Sequence, residues 1–273
     1  MRRILITGGS GKVAALLRPR LARPGRTLRL LDLRPPDPVD GAGDEDSVVA
    51  GVEDLDALTV ACKDVDAVVH LGGLAKEDTQ DNVLRVNVAG TLNVLEAARL
   101  AGVRRVVLAS SSHAVGFADV AGRTDVPADL PGRPDTLYGW SKVAGETAGQ
   151  LYADRFGMDV LCPRIGMWTA VPPSLRGLVM WLSPDDGARL IEACLSAPAP
   201  GFRLLWGISR NTRRWASLAE GEALGYDPQD DAERFLADLV ARHGEPAADH
   251  DPTLRRAGGA WCEIPLGRPS NQR

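Results

Sequence analysis

Through its first two thirds the chain alternates short, mainly apolar runs with longer stretches whose apolar positions recur at helical spacing. The short runs predict strands at Ile4–Thr7, Thr27–Leu31, Ala67–Leu71, Val106–Ala109 and Asp159–Arg164. Between them the spacing predicts helices near Val13–Ala22, Leu55–Ala61, Asn82–Leu100 and Leu137–Phe156. Strands that are apolar on both faces, each followed by a helix, imply an α/β fold: a doubly wound parallel sheet covered on both sides. Gly157 suits the residue that stops the last of these helices. Past residue 165 the rhythm breaks. Val171-Pro-Pro173 reads as a loop. Ser183-Pro-Asp-Asp186 reads as an N-cap with proline in the first helical position and acids in the first turn, opening a helix to about Ala197. Phe202–Trp206 reads as a further strand. The expected division is therefore 1–165, the main sheet, and 166–273, a smaller part that returns a strand and a helix to it. Asp37–Asp46, rich in proline, glycine and acids, reads as a surface loop. Trp168, Trp181, Trp206, Trp215 and Trp261 all fall in the last third and read as core and lid packing.

Chemistry gathers where the strands end. Ile4-Leu-Ile-Thr-Gly8-Gly-Ser-Gly11 runs from a strand into a glycine turn, and Gly8-x-x-Gly11-x-x-Ala14 opens a helix, the context that gives a dinucleotide fingerprint its meaning. Glycine lets a pyrophosphate approach the backbone, and the helix N-terminus offers N–H groups and a positive dipole end. Ser10, Lys12 and Val13 belong to the same turn. Asp32 ends the second strand, where a carboxylate accepts from ribose hydroxyls and repels a 2′-phosphate; NAD rather than NADP is the expected cofactor. Arg34 is the nearby group that could accept that phosphate instead. Val69-His-Leu-Gly-Gly73 leads a strand into small residues, so Leu71, Gly72 and Gly73 can pass under a cofactor. His70 reads as a packed strand histidine. Asn87 is polar where a helix wants an apolar residue; it either bonds backbone near a site or lies on the surface. Tyr138 and Lys142 stand four apart on one helix and so share a face. A cation beside a phenol favours the phenolate and makes Tyr138 a candidate acid/base. Ala109-Ser-Ser-Ser-His113 closes the preceding strand. A Ser-His-Asp hydrolase would need a Gly-x-Ser-x-Gly elbow, which is absent, and would leave the glycine turn unexplained.

Composition narrows the classes. Of 273 residues, 44% are hydrophobic and 25% charged, as in ordinary globular chains. The net charge of −4 gives no basic footprint for nucleic acid. No apolar run reaches the ~20 residues of a membrane helix, and no signal peptide is evident at Met1-Arg-Arg. Cys62, Cys162, Cys194 and Cys262 are widely spaced without a C-x-x-C. The expectation is four buried free thiols, no metal, and a cytoplasmic protein.

Thr7-Gly-Gly-Ser-Gly11, Val69-His-Leu-Gly-Gly73, Asn87, Ser111 and Tyr138-x-x-x-Lys142 together resemble the extended short-chain dehydrogenase/reductase superfamily. The resemblance implies a Rossmann sheet holding NAD, with Ser111, Tyr138 and Lys142 as the catalytic set. Further stretches, Leu31-Asp-Leu-Arg-Pro-Pro-Asp-Pro38, Arg133-Pro-Asp-Thr-Leu-Tyr-Gly139, Arg164-Ile-Gly166, Leu205-Trp-Gly207 and Gly258-Gly-Ala-Trp261, are similar to its uronate dehydrogenase branch, nearly end to end. That likeness implies oxidation of a hexuronic acid at C1 to the aldarolactone. It places Ile165 with the cofactor, and Ala75, Ser111, Ser112, His113, Tyr138, Met167, Arg176 and Trp261 with a small sugar-acid substrate, Arg176 on the carboxylate. The branch pattern has serine at Ala75 and Met167, asparagine at Ser112 and phenylalanine at Trp261, so contacts to sugar hydroxyls differ here. The alternatives are a sugar-nucleotide epimerase or dehydratase, for which the C-terminal part is short, and a non-enzymatic NAD-binding regulator, which need not keep Ser111, Tyr138 and Lys142. A homo-oligomer is left open.

Overall fold

A computed structural model describes residues 1–245 and 255–269 of the chain. Its core is one parallel sheet. In chain order the elements are β1 (Arg3–Thr7), α1 (Lys12–Leu21), β2 (Thr27–Asp32), β3 (Asp44–Val49), α2 (Leu55–Ala61) and β4 (Ala67–His70). There follow α3 (Gln80–Asn82), a π-helical stretch (Val83–Ala89), α4 (Gly90–Leu100), β5 (Arg105–Leu108), β6 (Ser110–Ser111) and α5 (Leu137–Phe156). The chain continues through β7 (Asp159–Ile165), β8 (Met167–Trp168), α6 (Gly177–Met180), β9 (Trp181–Leu182), α7 (Pro184–Ser196), β10 (Phe202–Gly207), α8 (Ala219–Glu222) and α9 (Leu236–His243). The strand order is β10-β7-β5-β4-β1-β2-β3, all parallel, with β6 also pairing with β7.

Alternation along each strand divides the core between the two faces. Ile4, Ile6, Leu28, Leu30, Val69, Val107 and Leu161 meet α1 and α7 on one face. Leu5, Leu31, Val68, Val106 and Val160 meet α2 and α4 on the other. The doubly wound expectation therefore holds. β10 pairs with β7 along its whole length, and α7 packs on α1, so residues after 165 complete the sheet. Ser183 caps α7 by accepting from the Asp186 N–H, and Gly157 ends α5 in the left-handed conformation at φ 65°.

Two local expectations change. The acidic loop gives way at Asp44 to β3, an edge strand whose register with β2 runs from Thr27–Asp44 to Asp32–Val49. Its polar side chains are tied by ion pairs, Arg18–Glu45 at 2.6 Å and Arg29–Asp46 at 2.8 Å, in place of the apolar packing that periodicity detects. The helix expected over Asn82–Leu100 begins slightly earlier and carries the π-helical stretch, an insertion common at functional sites. Of the four free cysteines, three are buried and Cys262 is half-buried. Among the described residues no helix is long and apolar enough to cross a membrane.

The strand order reverses between β1 and β4. Their following segments part to opposite faces and leave a crevice at the carboxyl ends, where ligands of such sheets bind. Residues 112–136 and 208–217 rise over the same end. A C-terminal strap, residues 255–269, crosses it. Val120 N–H donates to Arg255 O at 2.8 Å, Ala257 N–H to Ala118 O at 3.0 Å and Gly258 N–H to Gly116 O at 2.8 Å.

Candidate active site

The crevice opens into a cavity of about 1630 Å³. It is lined by Lys12, Val13, Leu71, Gly73 and Ile165, by Ala75, Ser112, His113, Met167, Arg176 and Trp261, and by Ser111, Tyr138 and Lys142. Gly8, Ser10, Gly11, Asp32, Gly72 and Asn87 lie outside this lining and build its supports.

Tyr138 and Lys142 occupy the first turns of α5, which Thr136 starts by accepting from the Gly139 N–H at 2.9 Å. The Lys142 ammonium donates to Ala109 O at 2.9 Å and sits 5.5 Å from the centroid of the Tyr138 ring. Burial pushes Lys142 down to about 8, against the opposing pull of the Glu146 charge. Tyr138 does not follow the expectation that its neighbour would lower it. Burial raises the phenol, a hydrogen bond with the Ser111 side chain pulls it back, and the Asp135 charge raises it again. Beneath Lys142, Arg164 forks onto Glu146 with two 2.8 Å bonds, Ser110 donates to the same carboxylate at 2.5 Å, and α5 is thereby pinned to β7.

At the glycine turn, Gly8 has φ +72°, and a Cβ there would lie 2.7 Å from Gly72 N and 2.8 Å from Leu71 C. The exits of β1 and β4 thus touch backbone to backbone, which only glycine permits. Gly11 caps α1 with no side-chain hydrogen bond, and the first turn of α1 holds no acid. Its first N–H groups therefore suit a phosphate. Asp32 is held at the end of β2 by accepting from Ser10 N–H at 2.9 Å and Leu33 N–H at 2.7 Å. Arg34 is turned onto Asp37 at 3.2 Å. These features fit NAD on the β1–α1 turn.

Two polar side chains brace the opposite loop. His70 Nδ1 lies 2.7 Å from the Thr7 hydroxyl and Nε2 3.1 Å from that of Thr91, and burial pushes it down to about 3, so it stays neutral. Thr7 in turn accepts from Gly72 N–H at 3.1 Å. Asn87, in the π-helical stretch, accepts from Leu74 N–H at 2.7 Å and donates to Leu74 O and to the Ser141 hydroxyl, both at 3.0 Å.

At the far end His113 Nδ1 meets Asp135 at 2.7 Å, and its ring stacks on Trp261 with centroids 4.1 Å apart. Tyr138 lies edge-on to His113 at 6.0 Å and tilted against Trp261 at 5.9 Å. The Asp135 carboxylate has no exposed surface, and the backbones of Gly116, Gly139 and Gly258 close around it. Sequence reasoning missed Asp135 and also Glu77, which bonds the first turn of α5. A lone acid in a loop has no periodic neighbour to mark it, and only the Arg133-Pro-Asp-Thr stretch hinted at the first.

The charges are one-sided. Lys12, Lys76, Arg123, Lys142, Arg176, Arg213 and Arg214 line the cavity, and among the described residues no acidic side chain does. Arg213 is neutralised by a two-bond pair with Glu233. Arg176 donates to Ala257 O; burial lowers its pKa and the Asp135 charge opposes this. Among the described residues neither Arg176 nor Arg214 has a carboxylate within 4.0 Å, and Arg214 Nε is buried without a partner.

Residues 4–171 match the NAD dependent epimerase/dehydratase family. The chain is 39% identical to the uronate dehydrogenase of Pseudomonas putida over 95% of each chain. It is 37% identical to the NAD-dependent glucose-6-phosphate dehydrogenase of Haloferax volcanii, covering 89% of this chain and 97% of that one. The crystal structure of uronate dehydrogenase from Agrobacterium tumefaciens superposes with a TM-score of 0.89 at 36% identity, covering 98% of this chain and 99% of that one.

Proposed function

This chain belongs to the NAD dependent epimerase/dehydratase family, and we propose that it oxidises a hexuronic acid at C1 to the aldarolactone. The observation that carries this reading is the acid-free, cation-lined cavity, with Tyr138 on its wall and Arg176 unpaired among the described residues. A half-buried guanidinium with no carboxylate partner among the described residues is suited to one brought by a ligand, bound through two parallel hydrogen bonds.

In this reading Tyr138 takes the proton of the C1 hydroxyl, and Ser111 hydrogen-bonds the same oxygen. Lys142, held by Ala109 O, places its charge beside Tyr138, where it favours the phenolate that accepts this proton. Arg176 holds the carboxylate and so fixes which carbon faces the base. His113, oriented by Asp135 and stacked on Trp261, meets a ring hydroxyl with Nε2. Gly8, Ser10, Gly11, Lys12, Val13, Asp32, Leu71, Gly72, Gly73 and Ile165 hold NAD, with Asn87 bracing the loop. When bound, NAD supplies the acceptor for the hydride leaving C1. Residues 1–165 carry the cofactor side and 166–273 most of the substrate side. Ala75 and Met167 offer no hydroxyl to the sugar, so selection rests more on charge than on hydroxyl contacts.

One observation favours a second reading. Arg214 adds another guanidinium to the same cavity, and the Haloferax volcanii relative is named for a hexose phosphate. A phosphate on C6 suits two arginines better than a carboxylate does. NADH formation from NAD with a hexuronic acid, a hexose 6-phosphate, a neutral aldose and a sugar nucleotide separates the readings. The highest kcat/KM is expected for the hexuronic acid. A preference for the phosphate would transfer the assignment to the second reading, and turnover of the sugar nucleotide alone would overturn both.

A further inference from the structure

The C-terminal strap carries Trp261 onto His113 and Tyr138, and its far end is tied at one buried residue. Glu77 lies a few residues past the glycines that follow β4 and is 1% exposed. One carboxylate oxygen accepts from the backbone N–H of Tyr138 at 2.9 Å. The other accepts from the backbone N–H of Gly267 at 2.8 Å. No cation lies within 4.0 Å of it among the described residues. A carboxylate buried without a cation is unfavourable unless other groups compensate it. Here the compensation is the N-terminus of a 20-residue helix, whose unsatisfied N–H groups and dipole favour an anion. From its own loop after β4, Glu77 therefore bonds two other segments at once: the first turn of α5, which carries Tyr138, and the strap that carries Trp261.

We propose that Glu77 is a positioning residue that latches the C-terminal strap to the first turn of α5, and so holds Trp261 over the substrate end of the cavity. The inference rests on the reading of Tyr138 and Trp261 as substrate-side groups. The chemistry requires a carboxylate. Both partners are N–H donors, so both oxygens must accept. A glutamine would turn an N–H₂ group toward one of the two donors and lose that bond. The strap would stay paired with residues 116–120 at its start, but its end would be loose. From Ile264 to Pro269 it is half-buried or exposed and has little apolar packing to hold it otherwise.

The test compares wild type, Glu77→Gln, a chain ending at Glu263, and the two changes combined. Wild-type turnover of a hexuronic acid is measured first and decides the functional reading separately. With Glu77→Gln, KM for the acid should rise by about tenfold, the scale of one lost hydrogen bond to a charged group. The Kd for NAD should stay within about twofold, because the β1–α1 turn is untouched. Amide hydrogen exchange in the strap should quicken by a similar factor, a readout that needs no turnover. The shortened chain should show the same rise in KM, and the double change should be no worse than either alone, since both break one latch. Losses that multiply, or a Glu77→Gln protein with wild-type KM and wild-type exchange, would overturn the proposal. If Glu77→Gln does not fold, the shortened chain keeps Glu77 and decides: a wild-type KM there would equally end it.

Discussion

Tyr138, the proposed base, has surroundings that raise its pKa in the free protein, so in this reading substrate and cofactor complete its site. Ser111 is the neighbour that favours its ionisation, and Lys142 stands ready 5.5 Å from the ring. Tyr138→Phe removes the proton acceptor and leaves the ring packing. Turnover should fall by at least ~10²-fold, the low end for positioned acid/base groups, with NAD affinity unchanged by titration calorimetry. Lys142 carries a pH signature. Its folded value of about 8 lies below the ordinary 10.5. Between these values the unfolded chain holds more protons, so this group makes folding stability rise with pH across that window, while its penalty is fully present below pH 8. Urea unfolding of Lys142→Met should show that rise flattened; an unchanged slope would mean the ammonium is well solvated. Arg176→Ala should cost ~2–5 kcal/mol in kcat/KM for a uronic acid if the carboxylate is desolvated, with little effect on a neutral aldose. An equal loss for both would mean that Arg176 serves the strap, through Ala257 O, and not the ligand.

At the scale of elements, the strand ends and the helix that carries Tyr138 were legible because their signals are local. Leu137–Phe156 begins at a threonine cap and ends at a glycine, and both marks stand in the sequence. β3 was not legible, because ion pairs with Arg18 and Arg29 secure it and its residues bury little apolar surface. The π-helical stretch was visible only as the misplaced polarity of Asn87. That residue makes three hydrogen bonds, two to Leu74 in the loop after β4 and one to Ser141 on α5. Asn87→Ala leaves the Leu74 N–H and O without those partners. The change should destabilise the fold by about 1–3 kcal/mol, read by urea unfolding, and weaken NAD binding. A variant with wild-type stability and NAD affinity would show that water replaces the amide.

For the whole molecule, what the sequence left out is what long-range packing assembles. The Tyr138–Lys142 pair and the glycine turn are each contained in a few residues. Asp135 behind His113, Glu77 beneath Tyr138 and the strap over all three come from segments far apart in the chain, and no spacing rule connects them. The one-sided charge of the cavity is also a property of the assembly, because a chain with net charge −4 gives no hint of it. The fold gathers the proposed base, an arginine unpaired among the described residues and the glycine turn proposed for the cofactor phosphates around one space, and this reading predicts that the hydride leaves C1 of an acidic sugar. Following deuterium from a C1-deuterated hexuronic acid tests this most directly. The account predicts that the label appears in the reduced cofactor while the sugar becomes its lactone. Label retained in a sugar of altered configuration, with no net NADH, would contradict it and identify an epimerase.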